Sequence, residues 1–211
     1  MNVLLTGGSR GIGKSIKDLF EFHGHDVYSP TREELDLSKP ISLPKCKFDI
    51  VINNAGVNFL KPILDINNDE IMRINYTSPL EIIQQCLPYM LSKGYGRIIN
   101  IGSIWIDLAK PQRSAYSASK SALHSLTKSL TVEYASKGIL SNTISPGFIV
   151  TDLTYQNNSE EQLKALRCDI PVGRLGLPEE IAKLVYYLTV DNTYITGQNI
   201  KIDGGYTCTV Y

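Results

Sequence analysis

The chain has 211 residues, with 21 basic and 21 acidic side chains and a formal net charge of zero. This length suits one domain with a substantial core, so we expect residues 1–211 to form a single domain. The balanced charge shows no basic block, which argues against a nucleic-acid partner. No run of 18 apolar residues is present, which argues against a membrane span.

The four cysteines are scattered, and none has a second cysteine or a histidine at metal-ligand spacing. This pattern predicts no disulfide framework and no metal site, and it is typical of proteins from reducing compartments. The first residues pass directly into a predicted strand without a signal-peptide pattern. We therefore expect a cytoplasmic protein.

A glycine-rich turn follows the first predicted strand, Val3 to Leu5, and precedes a helical pattern of apolar residues. Glycines there let phosphate groups approach backbone N–H groups at the positive end of a helix. Glycine turns are also common structural devices, but this position at the start of βα alternation favours phosphate binding. The predicted contacts are Gly7, Ser9, Arg10, Gly11, Ile12 and Gly13.

The second predicted strand, Asp26 to Ser29, leads into Pro30-Thr31-Arg32. In dinucleotide folds an acidic residue in this region binds the ribose 2′-hydroxyl, whereas an arginine accepts a 2′-phosphate. Arg10 and Arg32 therefore favour NADP, with NAD as the alternative. Two ordinary surface arginines would give the same pattern.

The next predicted strand, Ile50 to Ile52, enters Asn53-Asn54-Ala55-Gly56 at the sheet edge where parallel sheets place ligands. A long helix is predicted from Asn68 or Asp69 to residue 91, with Pro79 inside it. Proline has no N–H, so we expect a kink that leaves the backbone carbonyl of Asn75 without its helical partner.

The strand Arg97 to Ile101 ends at Gly102-Ser103, and a helix is predicted over 114–137. Tyr116 and Lys120 stand four residues apart on it, so they share one face. A phenol beside an ammonium has the parts of an acid catalyst, although such pairs are also common on exposed helix faces.

The remaining predicted elements are a strand over 139–144, a helix over 163–167, a helix beginning at Pro178 and a closing strand over 198–202. Polar residues dominate from Thr151 to Glu161, so we expect a lid within 149–170.

These features together make the chain resemble the classical short-chain dehydrogenase/reductase family. Its last two thirds are most similar to the 3-oxoacyl-[acyl-carrier-protein] reductase group, through Pro171-Val-Gly-Arg-Leu-Gly and Ile195-Thr-Gly. The family's marks occur in order as Thr6-Gly7…Gly11-x-Gly13, Asn53-Asn54-Ala55-Gly56, Asn75, Ser103, Tyr116-x-x-x-Lys120, Pro146-Gly147 with Thr151, and Asp203-Gly204-Gly205.

The resemblance implies a doubly wound parallel α/β sheet of Rossmann type and an NADP-dependent oxidoreductase that acts on a small carbonyl compound or alcohol. Tyr116 would donate the proton, and Ser103 would hold the carbonyl oxygen. Lys120 would bind the nicotinamide ribose and favour phenolate, and Asn75 would hold a water that links Lys120 to solvent.

The resemblance also implies further cofactor contacts. Asp36 would lie near the adenine, Asn53 would support the cofactor side of the scaffold, and Thr151 would meet the nicotinamide carboxamide. The helices 69–91 and 114–137 would pair in a homodimer or homotetramer. The other implied contacts are Ala55, Gly56, Tyr116, Lys120, Pro146, Gly147 and Ile149.

The chain departs from the family between Arg32 and Ile50, where the sequence is short. We expect one crossover helix to be missing and one face of the sheet to be poorly covered, which would favour a partner subunit or a looser cofactor site. The same gap weakens the alignment of Arg32 and Asp36. The segment 91–97 also lacks the dense basic cluster that would bind an acidic carrier protein.

Two other functions stay open from the sequence. A non-catalytic dinucleotide-sensing subunit would keep the fold but has no need for Ser103, Tyr116 and Lys120 together. An epimerase or dehydratase with transient hydride transfer would need more substrate-binding structure than we can assign.

Overall fold

The computed structural model describes residues 1–44, 47–156 and 159–209. Its strands are Asn2–Leu5 (β1), Asp26–Tyr28 (β2), Ile50–Asn53 (β3), Gly96–Ile101 (β4), Ile139–Pro146 (β5) and Asn199–Ile202 (β6). They form one six-stranded sheet in the order β2-β1-β3-β4-β5-β6, and every pairing is parallel. The carboxyl ends of all strands therefore meet at one edge, as predicted.

The helices are Gly11–Phe22 (α1), Asp69–Met72 (α2), Ser78–Lys93 (α3), Ser114–Tyr134 (α4), Asp152–Gln156 (α5), Glu160–Asp169 (α6) and Pro178–Tyr186 (α7). Among the residues that the structure describes, no helix combines the length and the apolar character needed to cross a membrane.

Buried strand residues point alternately to the two faces of the sheet. Helices cover both faces and bury these residues. Val3 and Leu5 pack with residues of α1 and α7 in one core, whereas Leu4 packs with α3 and α4 in a second core. This arrangement confirms the predicted doubly wound α/β fold.

The connection from β2 to β3 contains turns but no helix or strand within its described residues, 29–44 and 47–49. A common dinucleotide-binding sheet has the order 3-2-1-4-5-6, with an outermost strand beyond the second one. Here β2 itself is the edge of the sheet. The predicted loss of a crossover helix is thus accompanied by the loss of a strand.

The expectation that this face is poorly covered is wrong. Residues 35–44, which we call the strap, run across the second core in place of a helix, and Leu35, Leu37 and Ile41 pack against that core. Leu43 is buried in it, as is Phe48 just beyond the strap. Apolar side chains spaced along an irregular segment therefore replace the buried face of the missing helix.

Polar side chains of the long-helix region hold the strap in position. Glu81 accepts a hydrogen bond from the backbone N–H of Ile41 at 2.9 Å, and Gln85 bonds the backbone N–H of Leu43 and the carbonyl of Ile41. The Arg73 guanidinium donates two hydrogen bonds, of 2.6 and 2.7 Å, to the Glu81 carboxylate. The strap thus satisfies part of its backbone through helix side chains rather than through secondary structure.

The predicted long helix is interrupted, but the interruption lies one turn before Pro79, where the kink is predicted. A π-helical turn over Arg73–Thr77 separates α2 from α3, and Pro79 occupies the first turn of α3. The N–H of Ser78 reaches back five residues to the carbonyl of Arg73. Proline is tolerated in the first turn of a helix. The helical irregularity therefore lies in the π-helical turn before Pro79, not at Pro79 itself, where the sequence predicts a kink.

Candidate active site

A cleft of about 840 Å³ opens at the carboxyl edge of the sheet. It is bordered by the glycine turn, by the ends of the strands and by the first residues of α5. The sequence-predicted residues that line it are Gly7, Ser9, Arg10, Gly11, Ile12, Gly13, Arg32, Asp36, Ala55, Gly56, Tyr116, Lys120, Pro146, Gly147, Ile149 and Thr151.

The glycine turn has a shape that only glycine permits at key positions. Gly7 has a φ of 71°, and a Cβ on Gly13 would overlap the carbonyl oxygen of Gly7. Asn54 fixes the turn, because its Nδ2 donates to the carbonyls of Thr6 and Gly7 at 3.0 and 2.9 Å. Asn54 is not among the residues predicted from the sequence to line the site, although it belongs to the predicted motif Asn53-Asn54-Ala55-Gly56.

The start of α1 is open toward the cleft. Arg10 is its N-cap and makes no side-chain capping bond, so the first N–H groups of the helix are not satisfied by that side chain. A bare glycine turn leading into such a helix end suits a dinucleotide pyrophosphate.

Asn53 is the one predicted cofactor contact that does not line the cleft. Its side chain is buried within the sheet, where Nδ2 donates to Oδ1 of Asn100 at 2.8 Å. Asn53 can therefore support the scaffold, but it is not part of the cleft wall.

Asn75 lies in the π-helical turn, and its buried side chain joins two parts of the site. Oδ1 accepts from the N–H of Val57 at 2.9 Å, while Nδ2 donates to the carbonyl of Val57 and to Oγ of Ser119. Asn75 thereby ties the segment after β3 to α4. The predicted water on its backbone carbonyl stays a prediction.

Lys120 is buried, and its Nζ donates to the carbonyl of Ile101 at 2.7 Å. Burial lowers the pKa of Lys120 to about 8, and no carboxylate of the described residues pairs with it. The amine lies 5.8 Å from the centre of the Tyr116 ring. A Cβ on Gly56 would lie 3.3 Å from the amine, so the absence of a side chain there leaves room for it.

Tyr116 and Ser103 lie close enough for their hydroxyl groups to interact. Burial raises the pKa of Tyr116, while the Ser103 hydroxyl and the Arg113 guanidinium act in the opposite direction. The net increase keeps the phenol protonated at neutral pH, which is the form that a proton donor needs. Ser103 also accepts a bond from the N–H of Trp105 at 3.3 Å, so its hydroxyl has a fixed position.

The predicted lid begins against the glycine turn. A Cβ on Gly11 would lie 3.2 Å from Cγ2 of Thr151, and Arg10 lies 3.7 Å from the Asp152 carboxylate. Both members of that ion pair are exposed, so it adds little stability. Residues 157 and 158 of the predicted lid lie outside the described residues, and the predicted helix over 163–167 is contained in α6.

A family model described as enoyl-(acyl carrier protein) reductase matches residues 44–207. The 3-oxoacyl-[acyl-carrier-protein] reductase FabG of Vibrio cholerae is 34% identical, with 96% of this chain and 95% of that protein covered. The chain belongs to the short-chain dehydrogenase/reductase family. The corresponding FabG of Escherichia coli is 32% identical over the same shares, which confirms the predicted likeness to this group.

Solved structures of the family agree with this assignment. A 4-hydroxyisoleucine dehydrogenase complexed with NADH has a TM-score of 0.91 and 27% identity, with 99% of both chains covered. A putative 2-deoxy-D-gluconate 3-dehydrogenase from Agrobacterium tumefaciens with bound NADP has a TM-score of 0.87 and 27% identity, with 99% of this chain and 96% of that one covered. This short-chain dehydrogenase/reductase is an NAD(P)-dependent oxidoreductase.

Proposed function

We propose that this enzyme interconverts a small carbonyl compound and the matching secondary alcohol, with Tyr116 as the proton donor for reduction. The observation that carries this proposal is the proximity of the Tyr116 phenol to Ser103 and to the buried amine of Lys120, which lies 5.8 Å from the ring centre. Tyr116 and Lys120 both line the cleft, so this chemistry lies on its wall.

In reduction, a nicotinamide held in the cleft would supply the hydride that the carbonyl carbon accepts. Tyr116 gives its hydroxyl proton to the developing alkoxide, and Ser103 donates a hydrogen bond to the same oxygen. The protonated Lys120 favours the phenolate that remains, because an opposite charge nearby stabilises an anion. The secondary alcohol carries the added hydride and proton, so atoms and charge balance.

A panel of ketones, oxo acids and secondary alcohols, followed through NADPH or NADP absorbance, tests this function. We expect saturable turnover with at least one member and none with a boiled sample. Tight cofactor binding without turnover on any member of a broad panel would support a sensing role instead.

We further propose a small substrate rather than one held on a carrier protein. Two of the cations near the end of α3 are engaged within the protein: Lys93 pairs with Asp49, and the buried Arg97 guanidinium lies 4.3 Å from the Tyr95 ring centre. These cations are therefore not free to bind an acidic carrier surface.

We propose that NADP is preferred over NAD. Arg10, Arg32 and Lys17 line the adenosine end of the cleft, and no acidic residue directly follows β2 at residues 29–32. The carboxylate of Asp36 is engaged by the N–H and hydroxyl of Ser38 at 3.0 and 2.7 Å. A 2′-phosphate would thus meet cations rather than a free carboxylate.

The double variant Arg10→Ala and Arg32→Ala tests the cofactor preference. We expect its Kd for NADPH to rise about 10- to 100-fold, as the loss of one or two hydrogen bonds to a charged group implies. Its Kd for NADH should change less than about threefold, because NADH has no 2′-phosphate. Arg167→Ala, which removes an exposed arginine of α6, is the matched control. Equal losses for both cofactors would contradict the preference.

We also propose a homodimer or homotetramer in a reducing, cytoplasmic compartment. Val132 on α4 is 86% exposed, and exposed apolar side chains outside the cleft suit contact with a second copy. Cys168 and Cys208 are exposed free thiols, as is typical of reducing compartments. Light scattering that gives a monomer mass at micromolar concentration would contradict the oligomer.

A further inference from the structure

Arg113 is a largely buried cation that has no acidic partner among the described residues. It lies three residues before Tyr116 and is only 9% exposed. Within the described residues, its guanidinium makes no ion pair and no hydrogen bond, and Asp107 of the preceding loop is paired with Lys201 at 2.8 Å. Partial desolvation of a charge without a counter-charge is costly, and an anionic ligand would relieve this cost.

Trp105 holds the Arg113 side chain in place. The guanidinium carbon lies 5.0 Å from the centre of the indole ring, and Phe148 contacts that ring edge-to-face at 6.3 Å. Stacking uses the face of a guanidinium and leaves its N–H groups, which lie in the plane, available for a bidentate acceptor. The backbone N–H of Trp105 donates to Oγ of Ser103, so the residue whose ring contacts Arg113 lies two positions after the serine proposed to bind the substrate oxygen.

Arg113 lines a second cavity of about 550 Å³, whereas Tyr116 lines the main cleft. Its wall includes apolar residues such as Pro62, Ile63 and Leu108, and no acidic residue borders it. Gln112 also lines it, with a φ of 67°, the only non-glycine residue with positive φ in the described ranges. Such backbone strain is concentrated at functional sites and here fixes the entry into α4.

The spacing between Arg113 and Tyr116 sets the size of a ligand that could meet both. Arg113 is the N-cap of α4 and stands three positions before Tyr116, a spacing that on a helix puts the two Cβ atoms about 5–6 Å apart. The guanidinium is close enough for its charge to act on the Tyr116 phenol. A ligand with an anion within a few bonds of its carbonyl would span this distance. A carboxylate matches the planar guanidinium with two parallel hydrogen bonds.

We propose that the substrate is a small oxo acid, or the corresponding hydroxy acid, whose carboxylate pairs with Arg113 while its carbonyl or hydroxyl oxygen meets Ser103 and Tyr116. This proposal rests on the carbonyl–alcohol function proposed above and makes Arg113 its specificity-determining residue. The carboxylate itself is unchanged by the reaction. A thioester carbonyl on a carrier has no such charge and would leave Arg113 unpaired.

Direct binding tests the carboxylate site without turnover. Trp105 is the only tryptophan of the chain, so its emission reports on the guanidinium that stacks on it. With the NADPH-bound protein we expect a saturable change with succinate and none with succinamide at matched ionic strength. Arg113→Gln should raise the Kd for succinate at least about tenfold, and Arg113→Lys should give an intermediate value. Lys128→Gln, which removes a charge from the exposed side of α4, is the control and should leave the Kd within about twofold.

An equal response to succinamide, or an unchanged succinate Kd in a folded Arg113→Gln variant, would overturn the proposal. Circular dichroism confirms folding, and Arg113→Lys keeps the comparison decisive if the glutamine variant unfolds.

Turnover separates this proposal from the function on which it rests. We expect kcat/KM with NADPH to favour 2-oxo and 3-oxo acids over their methyl esters by at least about tenfold, and Arg113→Gln to bring this ratio toward one. Equal rates for acids and esters would refute the carboxylate site while leaving carbonyl reduction intact. Succinate binding without reduction of any carbonyl compound would refute the function while supporting the site.

Discussion

Tyr116→Phe is expected to lower kcat about 10²- to 10⁴-fold, the usual contribution of a positioned general acid. The variant keeps the ring and its packing and loses only the hydroxyl, which interacts with Ser103. Because Tyr116 is protonated at neutral pH, its proton is available to the alkoxide, and phenylalanine has none to give. Steady-state reduction of the best panel substrate measures the loss.

NADPH affinity provides the internal check for this variant. Its Kd should stay within about threefold of the parent value, since one neutral hydrogen bond is worth about 1 kcal/mol or less in net terms. Tyr194→Phe removes a hydroxyl from a 93% exposed tyrosine and should leave kcat within about twofold. Turnover by Tyr116→Phe near the parent rate would show that another group donates the proton.

Lys120→Met should abolish most turnover and yet stabilise the fold at pH 7. Burial lowers the pKa of Lys120 to about 8 from 10.5, which means that the folded state binds its proton less tightly than the unfolded state. This difference corresponds to about 3 kcal/mol of destabilisation while the lysine is charged. The variant gains this amount but loses the hydrogen bond to the Ile101 carbonyl, which costs about 1 kcal/mol. The unfolding free energy of Lys120→Met should therefore exceed that of the parent by about 2 kcal/mol.

The stability difference between the parent and Lys120→Met should depend on pH. Between pH 8 and 10.5 the unfolded parent binds more protons at Lys120 than the folded parent does, so the stability of the parent increases with pH across this window. The Met variant lacks the group, and its stability advantage should shrink toward pH 10.5. Urea unfolding of both proteins at pH 7, 8, 9 and 10 measures the difference.

Lys128→Met serves as the matched substitution, because Lys128 is exposed on the same helix. Its stability difference from the parent should stay within about 0.5 kcal/mol at every pH. A Lys120→Met advantage that did not vary with pH would show that packing, rather than charge burial, causes it.

The sheet edge and its site residues could be predicted because local patterns specify them. Apolar runs mark buried parallel strands, and polar or glycine residues directly after them must lie at the same edge. The pairing of Tyr116 with Lys120 follows from helical spacing alone. The cleft contains all but Asn53 of the predicted cofactor residues, which came in part from these patterns and in part from the family resemblance.

The strap and the surroundings of Arg113 could not be predicted, because both depend on contacts between distant parts of the chain. Nothing near Ile41 indicates that Glu81 and Gln85 will bond its backbone. Arg113 looks like a surface residue until the fold shows it stacked on Trp105 without a counter-charge. The π-helical turn escaped prediction because a sequence shows where proline disturbs a helix, but not which turn adjusts.

The π-helical turn and α3 connect the two ends of the cleft. Asn75 in the turn bonds Val57 and Ser119 near the reacting groups, while Glu81 and Gln85 in α3 hold the strap that borders the adenosine end. The strap at one end of the cleft and the Asn75 contacts at the other thus depend on one continuous helical segment, residues 69–93. A substitution that loosens the strap is therefore expected to disturb the contacts of Asn75 with Val57 and Ser119 as well.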